Sequence, residues 1–299
     1  DRARGQWLQD QWVVLTQPSP AEIVAIADAT GMSEEGRLIF LASTPEIDDA
    51  EQFNQACRVE SEGTLGCFDG TDIYIYAVTD PRLQGTIEVT AAHEMLHAAY
   101  ARLQPDERER VDRLVEEAVA AIPLDDPVFR IMEGYPADQR PDEWHSRLGT
   151  AFGDLPAGLE AHYARYFDDR SLVLALEERS TALLDELQAR ISDLSARADE
   201  LDAEITARTE AYNGALARYE ADVDAFNQRV DDDGFDDPAE YDAARSALLA
   251  RQRDLEAEQE ALNALIDEYN DVVAELTALD ADYADLYQSL DSTSGPSAG

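Results

Sequence analysis

The chain has 299 residues, room for a compact domain plus an extended one, with 65 acidic against 23 basic side chains and a formal net charge of -42. Every basic residue is arginine, and a negative charge of this size repels phosphate backbones and anionic lipid, so nucleic acid is not an expected partner. No apolar run reaches the roughly 18 residues of a transmembrane helix, so no segment of the sequence is expected to span a bilayer.

The first predicted element starts at Ser19-Pro20-Ala21-Glu22, a helix opening with serine as cap, proline at the first helical position and glutamate returning to the cap. Gly31 closes it. Residues 37–42 (RLIFLA) and 72–78 (DIYIYAV) are short β-rich runs between turn residues, and both are predicted as strands. Cys57 and Cys67 are the only cysteines, and their spacing suits one short-loop disulfide, as expected in an oxidising compartment; two free buried thiols are the alternative. Residues 86–103 read as a helix and residues 106–121 as another, with Pro105 near its start and Pro123 just past its end. Pro141 opens a further helix to about Phe152.

Near Arg170 the composition shifts from a segment rich in proline, glycine and all the histidine to one of Ala, Leu, Glu, Asp and Arg. The expected division is an α+β domain over 1–170, an antiparallel coiled-coil hairpin over 171–291 and a disordered tail over 292–299. Apolar residues recur at Leu187, Ile191, Leu194, Ala198, Leu201 and Ile205, then from Tyr212 to Val230, in steps of three and four. A glycine-proline break at residues 231–238 follows, and Leu248, Leu255, Leu262, Tyr269, Leu276, Tyr283 and Leu290 then sit seven apart. The aspartates at the break lack the ligand spacing of a calcium loop and read as a solvated tip.

The chemistry-bearing motif is His93-Glu94-Met95-Leu96-His97. Residues four apart share a helix face, so His93 and His97 are expected to bind one zinc ion. Glu94 is expected to hold the metal-bound water, whose pKa zinc lowers toward ~7, and to take its proton. A catalytic zinc needs a third protein ligand and an open position. The candidates lie in Pro141-Asp142-Glu143-Trp144-His145-Ser146: Glu143 is the expected ligand, and His145 is the rival. If Glu143 binds the metal, His145 is expected to orient it or to donate to the oxyanion, a catalytic role. His162 and Tyr163 are expected to be structural.

The stretches Gly66-Cys67-Phe68, IYIYAVTDPRLQG (73–85), EVTAAHEMLHAAY (88–100), EWHSRLGT (143–150) and HYARYFDDR (162–170) resemble a poorly characterised bacterial family. Its members look like membrane-anchored, gluzincin-type HExxH metallopeptidases with a long coiled coil behind the catalytic domain. The resemblance implies a zincin-like fold, His93 and His97 as zinc ligands, Glu94 as the catalytic glutamate and the Glu143-Trp144-His145-Ser146 segment as the third-ligand region. It also implies a transmembrane anchor before the catalytic domain; no such helix lies in the sequence, so any anchor would precede it. The resulting expectation is zinc-dependent peptide-bond hydrolysis outside the cytoplasm, on protein or peptide substrates, with self-association or a partner through the coiled coil. Two other readings stand beside it: a non-catalytic adaptor acting through the coiled coil, and a zinc amidase acting on cell-wall peptides.

Overall fold

The computed structural model describes residues 2–57 and 64–293. The chain packs as two units, Asp1–Asp185 with Ala284–Gly299, and Glu186–Tyr283.

The first unit is a helix-rich α+β assembly. Its elements in order are α1 (Arg2–Thr16), α2 (Ala21–Ala29), α3 (Glu34–Ala42), β1 (Glu46–Asp48), α4 (Ala50–Ala56), β2 (Gly66–Phe68), β3 (Ile73–Tyr76), α5 (Thr86–Ala101), α6 (Pro105–Val119), α7 (Val128–Glu133), α8 (Arg140–Ala151) and α9 (Ala157–Tyr163). Strand β3 is central, parallel to β1 and antiparallel to β2, which forms an edge. Ile73 and Ile75 on β3 are fully buried while Tyr74 and Tyr76 are half-buried, the period of two that a sheet with one core face requires. Helix α5 is buried on nearly every side through Val89, Ala91, Ala92, Met95, Leu96, Ala98 and Ala99. Between Val89 and Tyr100 only the stripe of Thr90, His93 and His97 keeps some access to solvent.

Residues 37–42 are helix, not strand. Ser33 caps α3 by accepting from the Gly36 N–H at 3.1 Å, and Glu34 and Glu35 occupy the first turn, where the helix dipole favours acid. Ile39, Phe40, Leu41 and Ala42 are buried in succession, and a fully buried run carries no period that separates strand from helix. Gly36 is not a turn residue: a Cβ there would collide with the Tyr166 carbonyl, to which the Ser33 N–H also donates at 2.9 Å. At α2 the cap position falls on Pro20 and Ser19 makes no capping bond, but Gly31 does follow the helix in the left-handed region, at φ 66°. No pattern in the sequence marks an element before Ser19, yet α1 forms there with Trp7, Leu8, Trp12 and Leu15 exposed.

Cys57 and Cys67 are bridged, with their Cα atoms 6.1 Å apart, which ties the end of α4 to β2. Ser292, expected to start a disordered tail, is buried instead: its hydroxyl donates to the Thr64 carbonyl at 2.7 Å, and its carbonyl accepts from Asn54 Nδ2 at 2.6 Å. Residues 294–299 lie outside the described residues.

Two long helices follow, α10 (Ser171–Asp231) and α11 (Pro238–Ser289). The first turns of α10 belong to the first unit, where Val173 is fully buried in its core. In the second unit the two helices run antiparallel. Arg208 pairs with Glu258 at 2.8 Å, Arg197 meets Glu268 at 3.1 Å, and Arg190–Glu275 and Arg251–Asp222 extend the series in opposite numerical directions. The seam carries the heptad residues: Leu201 is fully buried and Leu262 nearly so, while Leu194, Leu216, Leu255 and Leu276 are half-buried, since a two-helix seam has solvent on both flanks. Val230, expected in the seam, is exposed near the turn. Phe226, Phe235 and Tyr241 stack there with centroids 5.3–5.4 Å apart, so the end of the hairpin has a small aromatic core.

Candidate metal centre

Helix α5 supplies His93, Glu94 and His97, and helix α8 supplies Asp142 and Glu143. The two helices approach closely because Gly149 on α8 has no side chain: a Cβ there would strike Leu96 of α5 and the ring of Tyr163. That approach carries the first turn of α8 to the histidine stripe.

The ring nitrogens converge. His97 Nε2 lies 3.1 Å from His93 Nε2, and the Glu143 carboxylate lies 3.6 Å from the first histidine and 3.5 Å from the second. Asp142 takes the far side of His97, its Oδ1 2.8 Å from Nδ1. A carboxylate accepts, so Nδ1 donates, and once Nε2 gives up its proton its lone pair faces the His93 ring. The Glu94 carboxylate is 5% exposed and stands further off, within 4.8 Å of the donor nitrogens. Its position is shaped by β2, since Gly66 packs directly against the Glu94 side chain.

The electrostatics follow from three carboxylates and two imidazoles sharing a partly buried site. Burial lifts Glu94 to about 7, against the opposing influence of His97 and with that of Glu143 and Asp142. Burial by itself would lower His97, but its hydrogen bond to Asp142 and the charges of Glu94, Asp142 and Glu143 outweigh it and raise the imidazole to about 9. His93, without such a carboxylate behind it, is held below its ordinary value by burial. Burial opposes ionisation of Glu143, yet the two histidines and Arg147 keep its carboxyl below the usual range.

His93, Glu94 and His97 form a cluster that could hold a metal ion, and the Glu143 carboxylate lies against both histidines. The fit is that of a divalent cation. Two imidazole nitrogens and a carboxylate separated by 3.1 to 3.6 Å have the spacing of donors bound at the roughly 2 Å lengths typical of zinc. An excess of acid around two adjacent histidines is also relieved by positive charge.

Of the residues singled out in the sequence, His93, Glu94, His97 and Glu143 come together. His145 does not join them. It is fully buried, its Nε2 lies 2.8 Å from His162 Nε2, and its backbone carbonyl accepts from the Tyr163 hydroxyl at 2.6 Å. With no exposed surface it cannot donate to a bound substrate, and burial together with His162 holds its imidazole well below the ordinary value. Two residues from Glu143 on a helix, it points into the core and away from the pair of His93 and His97. Asp142, whose carboxylate meets His97, is not distinguished by the sequence. Asp142 lies within the quoted stretch, but a first-turn aspartate reads equally well as a partner for the helix dipole.

No protein-family model, curated protein or solved structure matches the chain.

Proposed function

We propose that the protein is a zinc-dependent metallopeptidase. The observation that carries this reading is the convergence of His93 Nε2, His97 Nε2 and the Glu143 carboxylate within 3.6 Å of one another, with a second, buried carboxylate on Glu94 beside them. His93, His97 and Glu143 would hold the ion. Zinc, when bound, supplies a Lewis acid for the scissile carbonyl and acidifies a water molecule.

The remaining work falls to the chain. Asp142 fixes the ring of His97 and the tautomer that offers Nε2. Glu94, buried beside the two histidines, is placed to accept a proton on its carboxylate and release it to a leaving amine. Burial of Glu94 excludes competing water from that oxygen, and Gly66 keeps the carboxylate seated. The resemblance to membrane-anchored gluzincin-like peptidases supports the same assignment, as does the order of β3 followed by the motif helix. The disulfide supports a place outside the cytoplasm, and the proposed anchor rests on the resemblance.

The test is metal analysis together with peptide hydrolysis. The parent is expected to bind one zinc per chain and cleave an unfolded protein. Glu94→Gln should keep zinc and lose hydrolysis by about 10²–10⁴-fold. His93→Ala and His97→Ala should lose both. Cleavage of peptidoglycan fragments but not of unfolded protein would move the reading to an amidase. A Glu94→Gln protein as active as the parent would sink the enzymatic reading.

A further inference from the structure

The proposed centre is acidic, and one cation acts on it. Arg147 follows Glu143 by four residues on α8, so the two side chains leave the same face of the helix. The opposite face, with His145, Ser146, Leu148, Gly149 and Thr150, is buried in the core. Arg147 itself is half-buried. Its charge reaches Glu143, His93, Tyr135 and Glu177. Among the described residues, however, it makes no ion pair within 4.0 Å and no side-chain hydrogen bond.

That sets it apart from the other partly buried arginines of the same unit, of which Arg108 and Arg140 hydrogen-bond to backbone carbonyls and others are ion-paired. Arg102 is paired with Asp10, Arg165 with Glu35 and Glu107, and Arg170 with Glu160. A guanidinium loses hydration when it is half-buried, and its forked donors match a carboxylate better than any other common group. In a chain of net charge -42, an arginine left uncommitted beside a cluster of carboxylates offers a local attraction for an anion.

We propose that Arg147 binds a carboxylate of the substrate, so that the site prefers peptides that present an anionic group next to the scissile bond. This rests on the peptidase reading and deepens it. The carboxylate can come from a free C-terminus or from an acidic side chain. In either case the guanidinium offsets the repulsion from Glu94, Glu143 and Asp142 that an anionic peptide would otherwise meet.

The experiment uses the zinc-loaded full chain and two pairs of peptides. One pair differs only in a free C-terminal acid against its amide, the other only in Asp against Asn beside the scissile bond. Arg147→Met should reduce kcat/KM for the acid member of the preferred pair by about ten- to a hundredfold, mainly through KM, and change the neutral member little. Arg147→Lys should restore part of the preference. Whichever pair responds identifies the source of the carboxylate. Calorimetric binding of the same peptides to the inert Glu94→Gln protein, with and without Arg147→Met, gives a readout independent of turnover. Equal losses for acid and neutral peptides would make Arg147 a support for Glu143 and overturn the proposal. If the zinc-loaded parent cleaves no peptide, the peptidase reading fails, and calorimetry still decides: acid peptides bound no better than neutral ones overturn the carboxylate site, whereas a preference abolished by Arg147→Met sustains it. Should Arg147→Met fail to fold, Arg147→Lys in both assays carries the comparison, and an unchanged acid preference with an unchanged KM overturns the proposal.

Discussion

Gly66 and Glu94 are in direct contact across the packing of β2 on α5: a Cβ at residue 66 would lie 2.7 Å from Glu94 Oε1 and 2.6 Å from Thr90 Cγ2. The edge strand therefore helps to seat the proposed base. A methyl group there must push the carboxylate aside. Gly66→Ala is expected to keep the metal and the circular dichroism spectrum of the parent while lowering kcat by about tenfold or more, the usual cost of misplacing a reacting group. A variant with unchanged turnover would show that Glu94 does not depend on this contact.

The 2.8 Å contact between Asp142 and His97 has its own consequence. Without the acceptor at Nδ1 the ring is free to turn and to change tautomer. Asp142→Ala should weaken zinc affinity by about 10–100-fold, and Asp142→Asn by less, because the amide oxygen can still accept. Competition with a chromophoric chelator reads both values. Equal affinities for all three proteins would remove Asp142 from the centre.

Below neutrality, the buried pair His145–His162 should make the fold sensitive to acid. Their nitrogens are 2.8 Å apart, so one proton lies between them and the two rings cannot both be charged. Burial, with Arg165 and Arg110 adding to it, pulls His162 down to about 4, whereas an unfolded chain protonates it near 6.5. The unfolded state thus binds the proton first. The stability contributed by neutral His162 is complete above pH 6.5 and is lost as the pH falls toward 4, by up to about 3 kcal/mol. Urea titrations at several pH values between 7 and 4.5 should show a steeper loss in the parent than in His162→Gln. Parallel slopes would contradict it.

In the helical hairpin the apolar seam and the cross-arm ion pairs should differ widely in weight. Leu262 is 7% exposed, and a carboxylate in its place would be desolvated without a partner, so Leu262→Asp should cost several kcal/mol. Arg197 and Glu268 meet at the surface, 43% and 46% exposed, and Arg197→Ala should cost under about 1 kcal/mol. Thermal unfolding of the two variants checks the ranking, and a Leu262→Asp protein as stable as the parent would count against the seam.

Reduction of the Cys57–Cys67 bridge, which closes a loop with a sequence separation of 10, should lower stability by roughly 2–3 kcal/mol on chain-entropy grounds. Because the bridge holds the strand that carries Gly66, activity should fall along with stability. Chemical denaturation and peptide hydrolysis with and without a thiol reductant measure both, and identical curves would show that β2 is held without it.

Features written in local spacing were legible in the sequence. Two histidines four apart share a helix face whatever the rest of the chain does, and leucines seven apart make a seam along any helix, so the motif on α5 and the hairpin of α10 and α11 follow from the order of residues alone. The second group of site residues was only partly legible. Glu143 could be named from its type and distance along the chain, but Asp142 behind His97 and Arg147 one turn beyond Glu143 acquire meaning only once α8 lies against α5. That approach depends on the missing side chain of Gly149, a contact between residues far apart in sequence. Tertiary packing likewise made residues 37–42 a helix, since a run buried on all sides has no period to read, and sent His145 into the core to meet His162, away from the pair of His93 and His97. Spacing determines which side chains can share a face; burial and close approach decide which faces meet, and the carboxylates reached the histidines by the second route.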